Sequence, residues 1–179
     1  MCTDEAVAPK GPLVARLRAR IARDGPLPVD GFMQACLEDA QGGYWHKRHS
    51  IGAGGDFITA PEISQVFGEL IGVWSVAVWQ GLGCPASLRL IELGPGRGTL
   101  MADALRAAKA APQFLAAASL HLIEKSEPLR KLQRRALPPG ASVFWHASIA
   151  EVPQGPAIVI ANEFLDALPI RQLVFAGGA

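Results

Sequence analysis

The chain has 179 residues, 50% of them apolar and 18% charged, which is enough to bury a core without disulfides or a structural metal. Its 17 Lys+Arg stand against 16 Asp+Glu, a formal net charge of +1 that excludes the basic stripe on which nucleic-acid binding depends. The longest apolar run, Leu70 to Trp79, is about half of the ~20 residues that span a bilayer, so no membrane insertion is expected.

Asp4 and Glu5 open the chain without an apolar signal core, which predicts a cytoplasmic or matrix-like compartment. Over residues 11–23, Leu13, Leu17 and Ile21 recur every four positions and predict a short helix. Asp24 to Pro28 ends it, and Phe32, Ala35, Cys36 and Asp39 mark a second short helix before the turn at Gly42 and Gly43. Cys2, Cys36 and Cys84 are odd in number and far apart, so they read as ordinary thiols. His46 and His49 have no acidic or cysteine partner nearby and read as surface histidines, and no metal is expected.

A glycine-rich segment from Ile51 runs directly into a helix start, where Thr59 and Glu62 have capping-box spacing and Pro61 lies in the first turn. One helix is predicted from there to about Gln80. Ile63, Val66, Phe67, Leu70, Ile71, Trp74 and Val78 form its apolar face, with Gly68 and Gly72 permitting a close neighbour. The pattern changes near Cys84 and Pro85, dividing an N-terminal helical portion, 1–84, from a second portion, 85–179. There, apolar runs at 88–93, 119–123, 142–145 and 157–161 predict strands. Helical patterns occupy 99–110 and 127–136, and a short helix follows Pro112. Alternating β and α elements predict an α/β fold with a parallel sheet. Arg130, Lys131, Arg134 and Arg135 form a basic helix face of the solvated kind.

Between the first strand and its helix lies Glu92-Leu-Gly94-Pro-Gly96-Arg-Gly98-Thr99, at the place where a doubly wound fold binds its cofactor. The alternate glycines differ by one residue from the dinucleotide fingerprint, and a carboxylate at Glu92 is an awkward neighbour for pyrophosphate. It suits instead the cationic amino-acid tail of S-adenosylmethionine. Glu124, ending the second strand, is where a carboxylate can accept both ribose hydroxyls; its alternative is a surface pairing with Lys125 or Arg130. After the fourth strand, Asn162, Glu163 and Asp166 are candidates for holding a methyl acceptor and taking its proton. Their alternative is a helix cap and a solvated carboxylate.

Three segments together resemble the MidA-like family of class I S-adenosylmethionine-dependent methyltransferases. They are Gly55-Asp-Phe-Ile-Thr-Ala-Pro-Glu-Ile-Ser-Gln-Val-Phe-Gly-Glu-Leu-Ile-Gly72, the glycine loop, and Asn162-Glu-Phe-Leu-Asp-Ala-Leu-Pro169. The resemblance implies a Rossmann-like sheet in the order 3-2-1-4. It also implies a cofactor site at Glu92, Gly94, Gly96, Gly98 and Glu124, closed by a loop carrying Gly55 and Asp56. The substrate it implies is a protein, an arginine of a respiratory complex subunit, in the bacterial cytoplasm or the mitochondrial matrix. Complete class I domains have seven strands, so the later strands are expected to be missing here, with residues 171–176 forming the first arm of a hairpin. The expectation is a truncated or fragmentary member with weakened or absent turnover, its open fourth-strand edge available for cover by another subunit. A non-catalytic assembly protein on the same fold and an NAD-dependent oxidoreductase are the other readings.

Overall fold

The computed structural model describes residues 11–44, 58–175 and 177. His46, His49, Gly55 and Asp56 lie outside the described residues. The described residues form two compact units, 11–44 with the residues from Ala167 onward, and 58–166.

The first unit contains α1, Pro12–Asp24, and α2, Val29–Glu38. Proline in the first turn of α1 loses no helical bond, and Gly25, at φ 87°, ends the helix by donating its N–H to the Ile21 carbonyl. Arg16 ties α1 to the end of α2 through the Asp39 carboxylate and Gln41. Residues 171–175, predicted as a strand, form no ladder, and Leu173, Val174 and Phe175 are more than nine-tenths exposed. Residue type alone does not make a strand, because the backbone must find a partner.

In the second unit the helices are α3, Ala60–Ile63, α4, Gln65–Gly81, α5, Thr99–Ala107, α6, Pro112–Ala117, and α7, Glu127–Ala136. The strands are β1, Leu88–Leu93, β2, Ala118–Ile123, β3, Val143–His146, and β4, Ala157–Ile160. They pair in parallel in the order β3-β2-β1-β4, with Glu92 opposite Leu122 on one side and Ile160 on the other. Leu88, Leu90, Leu120, Leu122, Ile158 and Ile160 turn one sheet face into the core. There they meet Leu100, Met101, Ala104 and Leu105 of α5, Phe114 of α6 and Trp79 of α4. β4 pairs only with β1 among the described strands, leaving Val159 about half exposed at the edge.

The single helix predicted to start at Thr59 is two. Ser64 is extended, at φ −145° and ψ 122°, and separates α3 from α4. The capping box does not close: the Thr59 side chain makes no cap bond, and the Glu62 carboxylate is engaged elsewhere. The buried face of α4 also differs from the predicted one. Phe67, Ile71 and Val78 pack against the core, but Ile63, Val66, Leu70 and Trp74 are exposed. Gly68, Gly72, Ser75 and Trp79 form the buried line instead. The small residues fix it, because α5 approaches so closely that a Cβ on Gly72 would lie 2.3 Å from the Ala104 carbonyl oxygen. No described helix is long and apolar enough to cross a membrane.

The contact is with backbone and cannot be relieved by a rotamer change. Gly72→Ala is therefore expected to destabilise the fold by about 2–3 kcal/mol, seen as a fall in Tm of roughly 5–10 °C. Gly81→Ala, on the same helix with nothing near the added methyl, should be neutral or stabilising by up to about 1 kcal/mol.

Candidate active site

β1 is buried almost throughout and delivers Glu92 to its C-terminal end, 3% exposed. The chain then leaves the strand through Gly94, Gly96 and Gly98 at φ 62°, 52° and 86°, all in the left-handed region. The Gly94 N–H donates to the Ile123 carbonyl, and Gly98 N–H closes a tight turn on the Pro95 carbonyl before α5 begins. A side chain at Gly94 would strike Phe164, whose ring lies 2.4 Å from the position of an added Cβ.

This turn roofs a cleft lined by Glu92, Gly94, Gly96 and Arg97, by Thr59, Pro61 and Glu62 around α3, and by Asn162 and Glu163 after β4. Two hydrogen bonds tie α3 to the rim. Thr99 Oγ1 donates to Glu62 Oε1 at 2.5 Å, with Arg97 Nε 3.9 Å from the same oxygen. Glu163 Oε1 accepts from the Ala60 N–H at 3.3 Å and from Asn162 Nδ2 at 3.4 Å. Glu163 is one of the two described non-glycine residues at positive φ, 47°. Such strain persists where the surroundings over-determine the backbone.

Glu92 is the electrostatic anomaly of the cleft. One of its carboxylate oxygens is buried without a hydrogen-bond partner, and burial alone pushes its carboxyl up to about 8. Glu124 stands on the other side of the glycine turn. Its Oε1 accepts the Ser126 N–H at 2.8 Å and its Oε2 accepts from Gln133 Nε2 at 3.3 Å. Arg130 donates to the Glu124 main-chain carbonyl, so the carboxylate is not consumed by a surface ion pair. Burial raises the Glu124 carboxyl above its ordinary range, opposed by the bonds from Ser126 and Gln133.

The structure thus brings Glu92, Gly94, Gly96, Asn162 and Glu163 to one cleft. Gly98 and Glu124 are not among the lining residues and both contact Gln133, while Asp166 is exposed in the 3-10 turn Leu165–Ala167 and does not line it. Sequence reasoning missed Glu62, which lines the cleft, and Phe164 and Gln133, which pack against the glycine turn. A signal for Gln133 was available: it occupies the apolar stripe position between Leu129 and Leu137, where a polar side chain has to be spoken for.

A parallel sheet in the order 3-2-1-4, whose central strand ends in a buried carboxylate under a glycine turn, defines the Rossmann-like class I methyltransferase fold. The chain belongs to the family described as "Putative S-adenosyl-L-methionine-dependent methyltransferase", whose profile matches residues 70–179. It is 40% identical to the mitochondrial protein arginine methyltransferase NDUFAF7 homolog of Drosophila melanogaster over 98% of this chain and 45% of that protein. It is 35% identical to mitochondrial NDUFAF7 of Homo sapiens over 94% of this chain and 44% of that one. Among solved structures, a COG1565 superfamily member from Burkholderia thailandensis bound to S-adenosyl-homocysteine superposes with a TM-score of 0.73 at 32% identity. That match covers 88% of this chain and 42% of the other. The chain spans somewhat less than half the length of these relatives.

Gly94→Ala should cost about 1–2 kcal/mol for the left-handed backbone alone, with a further penalty from Phe164. Combining it with Phe164→Ala removes the second part. In a denaturant-unfolding cycle the double variant is expected to be more stable than the sum of the singles predicts, by more than about 1 kcal/mol.

Proposed function

We propose that this chain carries the cofactor-binding half of an S-adenosylmethionine-dependent methyltransferase that acts on a protein arginine side chain. The observation that carries the reading is the buried Glu92 carboxyl, with one oxygen buried and unpartnered, at the exit of the central strand. A buried carboxyl without a partner is costly unless a cation completes it, and the ammonium of the cofactor's amino-acid tail is such a cation. The glycine turn supplies a close, side-chain-free backbone approach beside it. A carboxylate offers about four acceptor positions, so the bonds from Ser126, Gln133 and the Lys125 main chain leave Glu124 acceptor capacity for a ribose hydroxyl. Glu92, Gly94, Gly96, Gly98 and Glu124 are assigned to the cofactor, with Gly55 and Asp56 on a closing loop by family resemblance.

When bound, S-adenosylmethionine supplies an electrophilic methyl group. The chain's own contribution is positioning and proton handling. Asn162 and Glu163 line the cleft at the β4 exit, where a carboxylate and an amide can orient a guanidinium by paired hydrogen bonds and accept its proton. Asp166, exposed three residues on, is assigned to the approach of the substrate rather than to the cleft wall. Arginine as the acceptor is supported by the curated relatives, which are named as protein arginine methyltransferases. A respiratory complex subunit as the substrate, and cover of the β4 edge by a second copy, rest on the family resemblance and on the open edge respectively.

Calorimetry with S-adenosylhomocysteine tests the reading. With its carboxyl at about 8, Glu92 is mostly protonated at pH 7, whereas a bound ammonium favours the ionised form. Binding at pH 7 should therefore release close to one proton, read from the dependence of the apparent enthalpy on the buffer, and the release should fade above about pH 9. Glu92→Gln should abolish the release and weaken binding about tenfold or more. In the unliganded protein the sign is opposite for stability. A carboxyl raised from 4.5 to about 8 stabilises the fold fully at low pH, and that contribution is lost as pH rises through this window. Absence of binding, or binding without proton release, would refute the assignment.

A further inference from the structure

Gln133 of α7 has no exposed surface, yet it carries an amide, and the mechanism above gives it no part. Its side chain makes three hydrogen bonds, each to a different strand exit. Nε2 donates to the Gly96 carbonyl at 2.8 Å, in the turn after β1, and to Glu124 Oε2 at 3.3 Å, at the end of β2. Oε1 accepts from Trp145 Nε1 at 2.8 Å, on β3. The orientation of the amide is fixed by chemistry, since an indole N–H can only donate and a main-chain carbonyl can only accept. A flipped amide would oppose two N–H groups to the indole and set its oxygen against a carbonyl and a carboxylate.

The surroundings hold this arrangement from both ends. Gly98 lets α7 approach so closely that a Cβ there would lie 3.1 Å from the Gln133 Cα. Trp145 is itself covered by the Arg134 guanidinium, 4.6 Å from the ring centroid. The Glu124 carboxylate is thus held on one oxygen by the Ser126 main chain and on the other by Gln133. Of these two, only the Gln133 bond connects it to the glycine turn.

We infer that Gln133 is the positioning residue of the nucleoside site: it aims the Glu124 carboxylate at the ribose hydroxyls and sets the Gly96 carbonyl relative to it. Recognition of the ribose then depends on a side chain placed behind the one that receives the hydroxyls. The inference rests on the cofactor reading of Glu124 and extends it to a residue that neither the glycine motif nor the strand-end carboxylate identifies.

The test compares the binding of S-adenosylhomocysteine and its 2′,3′-dideoxyribose analogue to the intact chain, by calorimetry, in wild type, Gln133→Met and Trp145→Phe. Wild type should prefer the hydroxylated ligand by about tenfold or more, the size of a charge-assisted bond. In Gln133→Met the preference should fall below about threefold, while affinity for the dideoxy analogue stays within about threefold of wild type. Trp145→Phe keeps the amide but frees its orientation, and should lower the preference in the same direction by a smaller factor. If Gln133→Met shows no cooperative thermal transition, the ratio in Trp145→Phe decides. A preference unchanged in the folded variants, with both ligands weakened equally, would overturn the inference and leave the cofactor reading intact. A wild type that binds S-adenosylhomocysteine without discriminating the dideoxy analogue would overturn the role of Glu124 and the inference with it. A wild type that binds neither ligand would overturn the cofactor reading itself.

Discussion

The second unit is organised around the problem of ending a buried central strand on a carboxyl group. β1 has β2 on one side and β4 on the other, and its end carries Glu92 almost wholly buried at the floor of the cleft. The chain has to reverse out of that strand without covering the carboxyl, and it does so through three left-handed glycines in five residues. A side chain at Gly94 would collide with Phe164 from the β4 exit, and one at Gly98 would press against Gln133 from α7. The glycines, the ring of Phe164 and the amide of Gln133 are therefore a single packing arrangement seen from three elements.

Charge around the cleft follows from the same arrangement. Glu62, Glu92 and Glu163 converge on it from α3, β1 and the β4 exit, with Arg97 the nearest cation on the glycine turn. A cleft of that composition favours a positively charged guest and disfavours a pyrophosphate. The short helix α3 is held by hydrogen bonds that the two outer carboxylates accept, Glu62 from the Thr99 hydroxyl and Glu163 from the Ala60 N–H. It is held by the rim of the cleft more than by a hydrophobic face of its own, with Pro61 its one buried residue.

Most of the sheet was legible because each strand is short, apolar and followed by a helix with its own period. β1 and α7 occupy the predicted residues, and β2, β3 and β4 begin or end within a residue of the predicted limits. The glycine turn and Glu92 were legible for a related reason: their spacing is chemical and local. What failed depended on partners distant in sequence. Thr59 and Glu62 have the spacing of a capping box, but the Thr99 hydroxyl captures the glutamate. Large apolar residues suggested the buried face of α4, but the closeness of Ala104 behind Gly72 gave that place to small ones. Gln133 could be marked only as a polar residue on an apolar stripe, because its three partners come from three other elements.

The sheet order also bears on how the chain reaches its fold. β1 meets its first neighbour one helical crossover later, but its second edge stays vacant until β4, with Arg89 pairing to Ala157. Closing that loop is an entropically late event, so the central strand of the finished sheet is an edge strand for much of folding. During synthesis the ribosome delivers three strands before the one that covers β1, and in that interval its apolar edge is a template for any extended chain that comes near. The element that ends in the buried carboxyl is thereby also the one whose second edge is covered last in chain order.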